Sequence, residues 1–217
     1  MGGRGRGGRD LSPGGHGTGG AGPAVRRAGP GDEPAYRRLF EAVAAEGTGI
    51  GAEAPVDWDT SRLDGLRRRL SGDDDTEAVL VAEVDGEVAG AVSLGRQPRT
   101  GNVDFSMVVA GARRGRGVGG ALMDAALAWS RRVGAPRLTC QVWPHNTAAL
   151  GLYLSRGMRV EGRLRRHWPR RNGERWDGVL MGLVLDESAP GSPHPDSPLL
   201  ERVERGGAGG PTGPAAP

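Results

Sequence analysis

The chain has 217 residues, one cysteine, no lysine and a formal net charge of +3. That length suits one domain, and a lone cysteine with no histidine pair at ligand spacing excludes a disulfide framework and a zinc site, so no metal is expected. No apolar run approaches a membrane span and the N-terminus lacks the apolar core of a signal peptide, which gives the expectation of a cytoplasmic protein with no membrane partner.

Residues 1–24 are nearly half glycine and too poor in apolar side chains to bury a core, so they are expected to be disordered. Their R-G-R-G-G-R run resembles arginine–glycine RNA-binding tails in a single copy. Abundant Gly, Ala, Arg and Pro beside a single Ile read as GC-rich coding. The basic balance is therefore assigned to codon bias, and nucleic acid is not the expected partner.

The folded part is expected over 25–185. Val25 to Ala28 reads as a first strand. Asp32 can cap a helix with Tyr36, Leu39, Phe40, Val43 and Ala44 on one face. Gly47 to Gly51 end it, and the loop P-V-D-W-D-T leads to a second helix from about Ser61, with Leu63, Leu66 and Leu70 inward. Strands 78–84 and 87–94 flank Asp85-Gly86, a strong hairpin signal. In strand 103–109, Val103, Phe105, Met107 and Val109 share one face, and Asp104, Ser106 and Val108 the other. A helix over 117–133 is stopped by Gly134, with Pro136 beyond. Arg137 to Trp143 is a strand, Asn146 caps a helix to about Arg156, and 160–167 and 175–185 form a last pair of strands. Residues 186–217, rich in Pro, Gly and Ser without a period, are expected to be disordered. The order gives an α+β (mixed α/β) domain with a sheet of six or seven strands.

Between strand 103–109 and its helix lies A-G-A-R-R-G-R-G-V-G-G. Gly115, Gly117 and Gly119 let backbone come close to a ligand, and the free amides of the following helix point at an anion. Arg113, Arg114 and Arg116 add positive charge. The stretch reads as a cradle for a diphosphate-bearing ligand. Gly115-x-Gly117-x-x-Gly120 fits the dinucleotide fingerprint, but that fold needs an acid about 20 residues on, and A-P-R-L-T-C-Q-V-W has none. A phosphate loop of the nucleotide-hydrolase kind needs lysine. The remaining pattern is R-x-x-G-x-G at Arg114, Gly117 and Gly119, followed at Pro144–Met158 by P-H-N-T-A-A-L-G-L-Y-L-S-R-G-M with N-x-x-A-x-x-L-Y inside it. These two linked motifs resemble those of the GNAT superfamily of N-acetyltransferases.

The resemblance covers nearly all of 25–185. It implies a mostly antiparallel sheet flanked by about four helices, with central strands splayed at a bulge to form the acetyl-CoA cleft. It also implies direct transfer of acetyl from acetyl-CoA to a primary amine, by a monomer or homodimer. The acceptor is a small molecule, an amino acid or a protein N-terminus. Pantetheine would run along Met107, Val108 and Val109, and the pyrophosphate would meet Arg114, Gly115, Arg116, Gly117, Val118, Gly119 and Gly120. Asn146 would touch pantetheine, and Tyr153 would protonate the leaving thiolate. On periodicity alone Tyr153 packs with Leu150 and Leu154, and Asn146 is a cap.

Asp104 is the first choice of base, acting through water, because a carboxylate in an apolar strand needs a cleft, water or a partner. A solvent-facing strand-end aspartate is the other reading; Glu161 and Asp177 are alternatives. Trp58 beside Asp57 and Asp59 could wall an acceptor site through cation–π attraction, or plug the edge of the core. The run R-L-R-R-H-W-P-R-R at 163–171 either grips an acidic acceptor or RNA, or is the solvated face of a hairpin. Cys140 reads as a small buried hydrophobe and His145 as a solvated loop residue. Two other functions fit the sequence: an inactive acyl-CoA-binding module of the same fold, and an RNA-associated protein acting through its arginine-rich segments.

Overall fold

Asp85 and Gly86 adopt φ of 54° and 78°, the two positive values that a two-residue type I′ hairpin turn requires. They join β2 (Glu77–Val84) to β3 (Glu87–Arg96). The computed structural model describes residues 22–72 and 75–188. Most of the two segments assigned to disorder, 1–24 and 186–217, lies outside the described residues. The chain divides after Leu185 into two units, and the fold below is that of the first.

The elements follow the expected order: β1 (Ala24–Arg27), α1 (Glu33–Ala45), α2 (Thr60–Ser71), β2, β3, β4 (Val103–Val109), α3 (Val118–Arg132), β5 (Arg137–Val142), α4 (Thr147–Ser155), β6 (Arg159–Pro169) and β7 (Arg175–Val184). They build one seven-stranded sheet in the order β1-β2-β3-β4-β5-β7-β6. Every ladder is antiparallel except β4–β5. Alternation along the strands supplies two cores. On one face α1 and α2 press Leu39, Val43, Leu66 and Leu70 against Val79, Val81, Ala91 and Val108. On the other, α3 and α4 press Leu122, Met123, Trp129 and Tyr153 against Val92, Leu94, Phe105 and Leu138. Each fully buried Leu or Met side chain contributes roughly 1.5–3 kcal/mol.

Two local details differ from expectation. Asp32 does occupy the N-cap position of α1, but its carboxylate makes no cap bond. It accepts instead from the Gly29 N–H (2.8 Å) and from both terminal nitrogens of Arg26 (2.8 Å each), a charge-assisted pair that outcompetes a neutral helix amide. At Gly90, a Cβ would lie 2.9 Å from both Leu122 and Val118 and 3.0 Å from the Val108 carbonyl. Glycine there lets α3 lie close against the sheet.

The feature that positions the site is a fork. The β3–β4 ladder runs unbroken from Gly90↔Val109 to Arg96↔Val103, so the expected bulge in the splayed strand is absent from that ladder. β4 meets β5 only at Val103↔Leu138 and Asp104↔Thr139, after which β5 continues along β7. From Phe105 to Val109 one edge of β4 has no strand partner among the described residues. No helix among them is long and apolar enough to cross a membrane.

Candidate active site

The open edge of β4 leads into the glycine turn. Gly115 (φ 70°) and Gly117 (φ 83°, at the N-cap of α3) lie in the left-handed region with nothing near the place of a Cβ. Backbone conformation, not crowding, demands glycine at both. The first-turn amides of α3 have no partner within the helix, and Gly119 and Gly120 face a cavity of about 560 Å³. That cavity is lined by Met107, Val108, Val109, Arg114, Gly115, Gly117, Gly119, Gly120, Asn146 and Tyr153, all expected there. The rest of its lining comes from Val43 of α1, the α1–α2 loop with Glu46, Thr48, Gly49 and Ile50, His145, and α4 with Thr147, Ala148, Ala149 and Leu152. His145 lines the cleft despite its exposed ring, and its Nε2 lies 3.1 Å from the Thr48 carbonyl.

Two arginines grouped with the cradle go elsewhere. The Val118 side chain is 1% exposed because the first apolar position of α3 turns into the core, while its N–H is among the first-turn amides of the helix. Arg116 is exposed and does not line the cavity. Arg113 folds back onto the hairpin turn, pairing with Asp85 (2.9 Å) and Glu87 (3.3 Å). Arg114 alone keeps its charge at the cavity, donating to the Val109 carbonyl (3.1 Å) and pairing with Glu46 (2.7 Å).

Asn146 combines both roles considered for it. Its Oδ1 accepts from the Ala149 N–H (3.1 Å) at the start of α4, and it borders the cavity. Two helical turns on, Tyr153 packs edge-on against Phe105 with centroids 5.2 Å apart. The ring is 6% exposed, and burial, followed by the nearby Cys140 thiol, pushes its pKa above the ordinary value. Its hydroxyl has no hydrogen-bond partner among the described residues. Tyr153 also lines a second, smaller cavity of about 180 Å³, which continues past Phe105 and Ser106 to Cys140, Gln141, Trp143 and Trp168. The two cavities meet at Gly49, Ile50, Met107, Asn146, Ala149 and Tyr153. Cys140 is buried, as its strand face implied, and burial pushes its thiol up to about 12.

Asp104 is not brought into either cavity. It sits at the fork on the α1–α2 face, exposed, with its carboxylate accepting from Gln97 and Thr139. It borders a separate hollow with Arg69, Arg96 and Ser106, and Ser106 also lines the smaller cavity. Glu161 pairs with Arg137, and Asp177 with Arg163 (2.7 Å). Asp177 is held below its ordinary pKa first by the Arg166 N–H and then by Arg163.

Asp57 and Trp58 are not brought to the cleft. Trp58 packs against Phe40 (5.7 Å) under Arg37 (5.0 Å), with its indole N–H on Glu41 (2.5 Å). It closes the edge of the α1–α2 core, so the structure corrects the acceptor-wall reading for these two residues. Sequence reasoning missed an aromatic cluster, of which Trp143 and Trp168 line the smaller cavity. Trp143 meets Trp168 at 5.9 Å and Trp176 at 5.4 Å, both edge-on. Arg170, counted in a solvated run, is 8% exposed. A cluster of three of the five tryptophans within 143–176 was the available signal.

An unpaired strand edge is where an extended acyl-carrier arm can add as a further strand, and the amides beyond it take a diphosphate. Fold and cleft together define an acyl-coenzyme A-dependent transferase. The chain belongs to the acetyltransferase (GNAT) family, which matches residues 44–158. It is an N-acetyltransferase that takes its acetyl group from acetyl-CoA.

The chain is 29% identical over 175 residues to the L-methionine sulfoximine/L-methionine sulfone acetyltransferase of Pseudomonas aeruginosa, covering 77% of this chain and 98% of that relative. Among solved structures it is similar to a ribosomal-protein-alanine N-acetyltransferase from Brucella melitensis, at 28% identity and a TM-score of 0.66 over 75% of this chain and 99% of that one. A Salmonella typhimurium protein solved with its cofactor acetyl-CoA gives 25% identity and a TM-score of 0.66 over 79% and 99%.

Proposed function

We propose that this enzyme acetylates the α-amine of a small amino acid or amino-acid analogue, by direct attack within a ternary complex. The observation that carries the reading is the junction of two cavities at Tyr153. The larger one fits the donor. It has glycines where the turn needs them, an open strand edge and one arginine at its rim. The smaller, about 180 Å³, lies below the roughly 300–1,000 Å³ of sites for drug-sized ligands, which favours a compact acceptor over a folded protein's N-terminus. The Pseudomonas relative, named for methionine sulfoximine and sulfone, supports the same class.

Acetyl-CoA supplies the activated acetyl thioester; the rest of the chemistry falls to the chain. Backbone N–H groups on the free edge of β4 polarise the carbonyl, held in place before the reaction by the ladder to β3. Tyr153 gives its hydroxyl proton to the departing sulfur, and burial keeps that proton in place until then. Asp104 takes the amine's proton through water, by way of Ser106, which borders both its hollow and the acceptor cavity. The catalytic domain is residues 25–185, acting in the cytoplasm as a monomer or homodimer.

The test follows thiol release from acetyl-CoA with L-methionine sulfone or with an alanine-starting peptide as acceptor. The proposal expects release with the sulfone and only background with the peptide; the reverse overturns it.

A further inference from the structure

A tryptophan cage beside an acceptor cavity is a common way to hold a ligand's cation. Here the cage is filled from within. The Arg170 guanidinium lies 4.3 Å from the ring centroid of Trp176 and 5.8 Å from that of Trp143, while His145 stands edge-on to Trp176 at 5.0 Å. A guanidinium so deeply buried requires that its donors be met. Arg170 Nη1 donates to the Gly51 carbonyl (3.1 Å), Nη2 to the Gly47 carbonyl (3.1 Å), and Nε pairs with Glu53 (3.0 Å). All three partners belong to the loop between α1 and α2, more than 110 residues away in sequence (Gly51 is 119 and Gly47 is 123 positions from Arg170).

We propose that Arg170 is a positioning residue that sets acceptor affinity by fastening the α1–α2 loop over the smaller cavity. This rests on the reading of that cavity as the acceptor site. The loop is fastened at separate points on either side of Gly49 and Ile50, which line both cavities. Arg114 holds Glu46 (2.7 Å) and His145 meets the Thr48 carbonyl (3.1 Å); Glu46 and Thr48 line only the larger cavity. Gly51, held by Arg170, lines only the smaller one. Arg171 holds only the far end of the loop, at Glu53, Ala54 and Pro55, so loss of the Arg170 contacts frees Gly47 and Gly51 while Glu46 and Thr48 keep their own ties. Lysine is a poor substitute, because its compact ammonium lacks the fixed fork of donors that reaches two carbonyls and a carboxylate at once while the guanidinium lies over an indole.

Arg170→Lys and Trp168→Ala are compared with the wild type using L-methionine sulfone as acceptor, together with amide hydrogen exchange over residues 46–55. For Arg170→Lys the expected result is an acceptor KM raised by about tenfold or more, with the acetyl-CoA KM within about twofold, the pattern of lost acceptor binding. Exchange over 47–53 becomes faster. In Arg170→Ala, added guanidinium ion restores part of the acceptor KM, which a merely unstable variant does not allow. An unchanged acceptor KM in Arg170→Lys, with a raised one in Trp168→Ala, overturns the fastening role and leaves the acceptor site standing. Unchanged acceptor KM in both variants overturns the site and the fastening role with it. Equal rises in both KM values reduce Arg170 to a structural residue and overturn the proposal. If the wild type leaves methionine sulfone untouched, the proposed acceptor class fails first, and wild-type exchange over 47–53 in Arg170→Lys then overturns the fastening as well.

Discussion

The two sides of the cleft are built in different ways. The donor side is backbone: the free edge of β4, the left-handed glycines and the first turn of α3, all within residues 103–120. The proposed acceptor side is side chains: Trp143 and Trp168 from different strands' ends, with an α1–α2 loop held by Arg170 across the molecule. A backbone-built site accepts one cofactor and tolerates changes at most side chains around it. A side-chain-built site can be retuned for a new acceptor without disturbing the donor. Mutations should therefore separate the two sides, and a variant that damaged both alike would break the comparison.

The largest effect is expected on the donor side. In Gly119→Leu the new Cβ would stand 3.2 Å from Leu152 and 3.9 Å from Val109, sending the rest of the side chain into the cavity. Gly119 is helical, so leucine's gain in helix propensity opposes the cost of the shift that Leu152 must make. Calorimetric titration should find acetyl-CoA affinity reduced by at least ~100-fold in a variant whose circular dichroism is that of the wild type. Substitution at Gly117 would be a poorer test, because its φ of 83° strains any branched residue.

A smaller donor-side effect should follow Arg114→Ala. The guanidinium is exposed and shared with Glu46, and exposed pairs contribute at most about 1 kcal/mol, or roughly fivefold in affinity. Acetyl-CoA Kd should rise by about that factor and the acceptor KM should stay put. A hundredfold loss would mean that the cradle depends on this side chain and not on its backbone.

The same division explains what the sequence could disclose. Asp85-Gly86, the alternation of 103–109 and the glycine turn are local patterns whose physics is complete within a dozen residues, and each forms as expected. Tyr153 was reached through a motif, and its placement at the junction needed the fork in the sheet. The motif placed Val118 in the cradle without saying that its side chain turns into the core, which leaves its N–H to face a ligand. The two readings of Trp58, acceptor wall or core-edge plug, stayed open for lack of long-range information: nothing in P-V-D-W-D-T says that Phe40, Arg37 and Glu41 will enclose it. Arg170 looked like one of many solvated arginines. Its burial is decided by two carbonyls and a carboxylate far earlier in the chain, which no period or spacing encodes.

The central claim is that Tyr153, where donor and acceptor cavities meet, supplies the proton that releases the thiol. Tyr153→Phe keeps the ring against Phe105 and removes only a hydroxyl that has no partner among the described residues. The decisive measurement is kcat of this variant across pH, alongside its acetyl-CoA Kd. The account predicts a fall in kcat of about 10²-fold, the usual size of a general acid's contribution, with Kd within about twofold. It also predicts wild-type activity that does not decline at the ordinary tyrosine pKa of about 10, because burial holds the Tyr153 proton to higher pH. A Tyr153→Phe enzyme with wild-type kcat would contradict it.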